Sequence, residues 1–218
     1  MVPKILHQIV GPKRNAVIDH CLRSWHLLDE NDFTIRIWND DLLDIFISEE
    51  YPFALSAFRH ARNHAEAADI ARYLLVYHTG GYYMDWDVQL LDKKAFFELI
   101  DRTPKGFLII DPANGSIAAE AFSAAPNETY LVRLVENIAG IYERNERDRY
   151  TTPFFSGPFR MQAVLREYPT AQSILPVNEV FAYDYSEIRE MPEREITQPM
   201  VHYWLHTWMS TPTKTIEP

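Results

Sequence analysis

The stretch Ala67-Ala68-Asp69-Ile70-Ala71-Arg72-Tyr73-Leu74-Leu75-Val76-Tyr77-His78-Thr79-Gly80-Gly81-Tyr82-Tyr83-Met84-Asp85-Trp86-Asp87 runs from an alanine-rich pattern through a double glycine into an aromatic, acidic segment. Ile70, Tyr73, Leu74 and Tyr77 form an apolar stripe at helical spacing, which predicts a helix over 61–79. Gly80-Gly81 ends it, because glycine takes the left-handed conformation at a helix C-terminus without a Cβ penalty. A strand is expected over 82–91, and in an extended run Asp85 and Asp87 leave the same side. Two negative charges so placed repel and lose hydration unless something positive sits between them. A divalent metal holding a phosphorylated substrate meets that need, since hard cations prefer carboxylate and phosphate oxygen. A solvated edge strand of alternating charge is the competing reading of a bare Asp-x-Asp.

On the preceding helix, Glu66, Asp69 and Arg72 lie three residues apart and share a face. They form either a surface ion-pair ladder or part of the site that the acidic pair opens. In the second case Arg72 balances phosphate charge and Asp69 accepts hydrogen bonds from sugar hydroxyls.

The whole stretch, 67–87, closely resembles the signature of glycosyltransferases with a DXD-containing sugar-binding region. That group includes bacterial capsule and surface-polysaccharide transferases and fungal initiating mannosyltransferases, with the large glucosylating toxins more distant. Val2-Pro3-Lys4-Ile5-Leu6-His7-Gln8-Ile9-Val10 resembles the family's first strand, and Ser24-Trp25 with Phe33–Asp40 its first helix and second strand. Val201-His202-Tyr203-Trp204-Leu205-His206-Thr207-Trp208 is similar to a closing motif that commonly reads His-His-Trp-x-Gly-Ser-Trp. Tyr203, His206 and Thr207 depart from it.

The resemblance implies a GT-A-type nucleotide-diphospho-sugar transferase fold with a mostly parallel central sheet flanked by helices. It implies transfer of a sugar from a UDP- or GDP-sugar to an acceptor hydroxyl with retention, in surface polysaccharide or glycan synthesis. Asp87 is the expected metal ligand, joined by Asp85 and by His202 from the closing motif, and Mn²⁺ or Mg²⁺ suits such ligands. Gln8 and Ile9 are expected at the nucleotide base. Asp69, Arg72, Tyr73, Gly81, Asp85 and Trp86 complete the expected nucleotide-sugar site, with Asp85, Asp87, Asp69 and Arg72 as the catalytic set. Glu120 is placed near the reacting carbon. The implied acceptor is a glycan or lipid-linked glycan in preference to a protein.

Composition sets the outer limits. With 218 residues and 47% hydrophobic content the chain is expected to form a single domain over 1–210 with a short tail over 211–218. The longest apolar runs are far short of a membrane span. No charged-then-apolar leader opens the sequence, so no secretory signal is expected. The lone Cys21 excludes an internal disulfide, fits a reducing, cytoplasmic setting and reads as a buried small apolar residue. A formal net charge of −10 argues against nucleic-acid binding, while a peripheral position on the inner face of a membrane stays open.

Strand and helix patterns alternate along the chain. Strands are expected over 5–10, 33–38 and 106–110, and helices over 17–28, 40–48, 94–100, 127–145 and 153–168. Ser156 serves as cap of the last helix and Pro158 lies in its first turn. Such alternation predicts an α/β layer, with ligands beyond the carboxyl ends of the strands. Trp25 and Trp38 read as core residues. Segments 112–127 and 145–158 are expected to be acceptor-side loops. Two other functions compete with transfer. A haloacid-dehalogenase-type phosphatase would use Asp85 and Asp87, but that motif normally follows the first strand. A noncatalytic nucleotide-sugar binding module has no need of the metal geometry.

Overall fold

A computed structural model describes residues 1–205 of the chain. The expected tail over 211–218, the end of the expected domain and the motif residues His206, Thr207 and Trp208 lie outside the described residues.

Strand β1 (Ile5–Ile9) opens the chain, followed by α1 (Ala16–Ser24) and a 3₁₀ segment over Trp25–Asn31. Next come β2 (Thr34–Trp38), α2 (Asp40–Glu50), α3 (Pro52–Arg59) and the long α4 (His64–Thr79). Then follow β3 (Gly81–Met84), β4 (Val88–Leu90), α5 (Lys93–Arg102) and β5 (Phe107–Ile110). Short strands β6 (Ile117–Ala118) and β7 (Ala121–Ala124) precede α6 (Thr129–Glu143), α7 (Thr152–Phe155) and α8 (Pro158–Glu167). The described chain closes with β8 (Ser173–Pro176), α9 (Val177–Val180) and β9 (Met200–His202).

The central sheet has the order β2-β1-β3-β7. β1 pairs in parallel with β2 and β3, while β7 runs antiparallel to β3, so the sheet is mixed: parallel from the β2 edge to β3, with β7 as an antiparallel edge strand. A second sheet has the order β6-β5-β8, and β4 pairs antiparallel with β9. Alternation along β3 feeds two cores. Tyr83 packs with α4, α6 and Phe122 on one face, while Tyr82 and Met84 pack with Trp25, Phe96 and Phe107 on the other. Trp25 is fully buried and donates its indole N–H to the Val88 carbonyl (2.9 Å), and Cys21 is buried, both as their residue types suggest.

α4 forms where its stripe predicts, but it begins at His64. The Asn63 side chain accepts the Glu66 N–H there, which satisfies a donor that the first helical turn leaves open. Pro52–Arg59, absent from the sequence reading, is a separate helix with Pro at its first turn. At the other end of α4, Gly80 takes φ +68° and its N–H closes on the Val76 carbonyl. Gly81 at φ +111° lets β3 approach β1, because a Cβ there would strike the Ile5 carbonyl oxygen.

Three expected elements are divided. The strand expected over 82–91 breaks into β3 and β4 around a turn closed by the Val88 N–H on the Asp85 carbonyl (3.0 Å). Asp85 and Asp87 therefore flank a turn and do not alternate along a strand. The helix expected over 153–168 is α7 and α8 with the break at Ser156-Gly157, and Gly157 takes the N-cap position. The segment expected over 17–28 leaves α-helix at Ser24. The expected loop over 112–127 contains β6 and β7. Among the described residues no helix is long and apolar enough to cross a membrane.

His7 on β1 ties the parallel strands to the end of α4. The Trp38 indole N–H, which can only donate, points at His7 Nδ1 (3.2 Å), so Nε2 carries the proton and donates to the Gly80 carbonyl (3.1 Å). The fold thus requires neutral imidazole, and burial pushes His7 down to about 4. The unfolded chain binds a proton more readily between pH 6.5 and 4. Stability is therefore full above pH 6.5 and falls as the pH drops through that window. We expect about 2 kcal/mol to be lost at this residue between pH 7 and 5. Denaturant melts at both pH values check this: His7→Gln should show a smaller difference than the parent, and an equal difference would remove His7 from the acid response.

Candidate active site

The broken strand sets the chemistry. β3 delivers Asp85 at its carboxyl end, and the Asp85 N–H donates to the Glu120 carbonyl (2.8 Å), which carries Glu120 to the same place. The Tyr83 hydroxyl donates to Asp85 Oδ1 (2.6 Å). α4 supplies Arg72, whose Nη1 lies 3.2 Å from Asp85 Oδ1 and whose Nη2 lies 3.5 Å from Asp69 Oδ1. Its remaining donors reach the carbonyls of Ala119 (2.7 Å) and Ala68 (3.2 Å), and its guanidinium sits over the Tyr83 ring at 4.7 Å. Asp69 and Arg72 are each 5% exposed, so they are not part of a surface ladder. Glu66 leaves that face and pairs with Arg62 (2.6 Å) and the Thr152 hydroxyl (3.0 Å).

The Ser156 hydroxyl, expected as a helix cap, instead donates to Asp69 Oδ2 (2.6 Å). Burial pushes Asp69 up to about 6, against the opposing pull of Arg72 and the Ser156 bond. The α7–α8 break thus fixes the rotamer of a carboxylate on α4.

β9 brings the remaining partner. Val88 pairs with His202 in the ladder, and the Tyr203 N–H donates to the Asp87 carbonyl (3.1 Å). His202 Nε2 then lies 3.3 Å from Asp87 Oδ1, and the Leu205 N–H donates to Asp87 Oδ2 (2.9 Å). His202 Nδ1 faces Glu120 Oε1 at 3.7 Å, too far for a hydrogen bond, and is buried without a hydrogen-bond partner among the described residues. Burial alone would lower His202, but Asp87 and Glu120 outweigh it and push it up to about 10. Asp87 and Glu120 are both held below the usual carboxylate range, since His202 overcomes their desolvation.

Asp85, Asp87 and His202 each present a ligand atom, all within 4.8 Å of one another. Among the described residues Arg72 and His202 are the basic side chains beside these four carboxylates; with His202 neutral, as a metal ligand must be, Arg72 alone balances them, a deficit that a divalent cation would offset. Two carboxylates with one imidazole form a donor set suited to Mn²⁺ or Mg²⁺.

A cavity of about 530 Å³ opens over this centre and is lined by Asp69, Arg72, Asp85, Trp86, Asp87, Glu120 and His202. Four residues expected at the donor site do not line it. Gln8 is fully buried with both amide atoms unpartnered among the described residues, and Ile9 packs in the core. The Tyr73 hydroxyl is occupied by the Ser156 carbonyl (2.9 Å), and Gly81 serves the approach of β3 to β1. Asn114 and Ser116 line the cavity from the segment expected on the acceptor side, whereas Asp111 before it and Asp184, Tyr185 and Ser186 after α9 were marked by no pattern. Trp204 lies over His202, with ring centroids 4.2 Å apart, and holds φ +45°, a costly conformation for a bulky residue. Arg189 clamps this segment by donating to the carbonyls of Tyr203 and Trp204.

Residues 18–104 match the family described as the glycosyltransferase sugar-binding region containing DXD motif. Over 169 residues the chain is 27% identical to inositol phosphoceramide mannosyltransferase 1 of Schizosaccharomyces pombe, covering 72% of this chain and 49% of that protein. Over 178 residues it is 28% identical to mannosyl phosphorylinositol ceramide synthase CSH1 of Saccharomyces cerevisiae, covering 77% and 43%. The chain spans about half the length of the curated relatives it matches. Among solved structures, the PaToxG glycosyltransferase superposes with a TM-score of 0.55 at 15% identity, over 76% of this chain and 69% of that one. The apo-form glycosyltransferase GlyE of Streptococcus pneumoniae TIGR4 gives 0.55 at 14% identity, over 96% and 57%. The fold is the GT-A-type glycosyltransferase fold expected from the sequence. The acidic turn lies inside the region that matches the glycosyltransferase sugar-binding region containing DXD motif.

Proposed function

We propose that this protein transfers a hexose from a UDP- or GDP-sugar to an acceptor hydroxyl, with retention, in a reaction that requires Mn²⁺ or Mg²⁺. The observation that carries this reading is the convergence of Asp85, Asp87 and His202 within 4.8 Å at the floor of a cavity that also contains Asp69 and Arg72. A divalent cation held by these three groups supplies Lewis-acid stabilisation of the departing diphosphate. The chain's own groups supply the rest. Arg72, already desolvated, places fixed positive charge beside that position and needs no reorganisation as negative charge develops. Asp69, held by Ser156, is set to accept hydrogen bonds from sugar hydroxyls. Trp86 walls the cavity next to the acidic turn. In a retaining reaction by front-face departure the leaving phosphate takes the acceptor proton on the same face.

The named activities of the yeast relatives make mannose an attractive donor sugar and a lipid-linked acceptor a candidate class. We place the work in glycan or glycolipid synthesis, at the cytoplasmic side of a membrane or in the cytoplasm. An Asp-based phosphatase needs one carboxylate free as a nucleophile. Here Asp85 is engaged by Tyr83 and Arg72, and Asp87 by His202 and Leu205. The phosphatase reading is therefore disfavoured.

A thermal-shift screen of UDP- and GDP-sugars, each with Mn²⁺, Mg²⁺ or EDTA, tests the proposal, because a ligand that binds only the folded state raises its stability. A shift that requires both metal and one nucleotide class is expected; no shift with any pair would overturn the reading. Asp87→Asn should fold normally, and its metal-dependent transfer should fall by about 10²–10³-fold. Retained activity would remove Asp87 from the metal set. Arg72→Lys keeps the charge but loses the planar fork that serves Asp69, Asp85 and two carbonyls at once. We expect it to lose both donor affinity and about 1–3 kcal/mol of stability. A loss of stability with donor affinity intact would assign Arg72 to structure alone.

A further inference from the structure

Of the four carboxylates at the centre, Glu120 has no task in the reaction proposed above. Its backbone is fixed from the sheet: Ala121 pairs with Met84 across β7 and β3, and the Glu120 carbonyl accepts the Asp85 N–H (2.8 Å). Its side chain, 18% exposed, turns toward His202, with Oε1 3.7 Å from Nδ1. It stands outside the group formed by Asp85, Asp87 and His202, whose ligand atoms gather within 4.8 Å of one another. A carboxylate that faces a metal ligand from outside the donor set acts on the metal through that ligand.

The ring of His202 gives its two nitrogens separate partners. Phe181 and Trp204 both pack against it, with centroids 5.7 and 4.2 Å away, and the β4–β9 ladder sets its backbone opposite Val88. In that fixed orientation Nε2 faces Asp87 Oδ1 (3.3 Å) and Nδ1 faces Glu120. The two tautomers of a neutral imidazole are then unequal. With the proton on Nε2, the Nδ1 lone pair meets a carboxylate, and two acceptors oppose each other. With the proton on Nδ1, Glu120 can accept it, and the Nε2 lone pair is left beside Asp87 Oδ1 for a shared cation. Nδ1 is buried and has no hydrogen-bond partner among the described residues, so a small rotation of the Glu120 side chain supplies the acceptor it lacks. A carboxylate at the far nitrogen also makes the near one a stronger ligand.

We propose that Glu120 is a positioning residue: its carboxylate accepts the Nδ1–H of His202, fixes the tautomer that frees Nε2, and so raises the affinity of the Asp85, Asp87 and His202 centre for a divalent cation. This rests on the metal-dependent reading above and adds to it a residue outside the donor set. Glu120 thereby acts through an imidazole and not at the reacting carbon.

The test measures Mn²⁺ binding to the full chain by electron paramagnetic resonance, in the presence of UDP and of GDP. The Asp85 amide bonds to the backbone carbonyl of residue 120, a contact that side-chain replacement leaves in place. The Kd for Mn²⁺ should rise about 10–100-fold in Glu120→Ala. It should rise less in Glu120→Gln, whose amide oxygen still accepts the Nδ1–H. In a His202→Ala background the same Glu120→Ala change should cost less than about threefold, because no ring is left to position. Equal losses in the two backgrounds would show Glu120 acting on the cation directly and overturn the proposal, as would an unchanged Kd in Glu120→Ala. A measurement on the parent keeps the test independent of how the variants fold: ¹⁵N spectra of the Mg²⁺-loaded chain should show His202 protonated at Nδ1, and protonation at Nε2 overturns the assignment. Failure of the parent to bind Mn²⁺ with either nucleotide is a different signature, which overturns the metal-dependent transfer reading and this proposal together.

Discussion

The guanidinium of Arg72 is the charge on which the rest of the centre depends. Asp69 is removed from water, and Asp85 largely so, by the packing of α4 against β3, and ionised carboxylates so placed are unstable without a partner. Arg72 answers both at once, and it reaches the carbonyl of Ala119 in the strand connection beside them. One side chain therefore couples the long helix, the strand that ends in the acidic turn and the segment that carries Glu120. Lysine has no such fork, and this geometry follows from the i,i+3 spacing of Asp69 and Arg72 together with the Gly80-Gly81 turn that brings β3 back alongside.

His202 repeats the solution on the other side. It stands between Asp87 and Glu120 as Arg72 stands between Asp69 and Asp85. The two cations differ in one respect that matters for chemistry. Arg72 is fully used, with each group of donors engaged, whereas His202 keeps a nitrogen without a hydrogen bond.

Much of this was legible in the chain. The helix, the glycine pair and the carboxylates that follow are local features, and local spacing fixes their order. The period-two argument for Asp85 and Asp87 failed because a tight turn inside an apolar run has no distinct pattern: Trp86 is buried like its strand neighbours. The two carboxylates still converge, through the turn and through β9. Tyr73 and Gly81 sit inside the signature stretch yet lie off the cavity. Tyr73 is one residue past Arg72, which on a helix is a rotation of about 100°, and that carries its hydroxyl to Ser156. Ser156 itself read as a cap, since serine before a proline-led helix usually is one, and only the tertiary fold shows that Asp69 claims it. Asp111 and Asp184 were invisible because loops facing a cavity need no periodicity.

The pairing of β4 with β9 joins positions separated by more than a hundred residues, Val88 and His202. Such a long-range closure comes late in folding, because the entropy of bringing distant segments together must be overcome first. During synthesis at about 5–20 residues per second, the acidic turn exists for roughly ten seconds before its histidine has been made. In that interval Asp87 has neither His202 nor the Leu205 amide. The nascent chain can thus assemble its hydrophobic layers while the centre remains incomplete. The pairing of Asp87 with His202 forms only once the last described strand has been made.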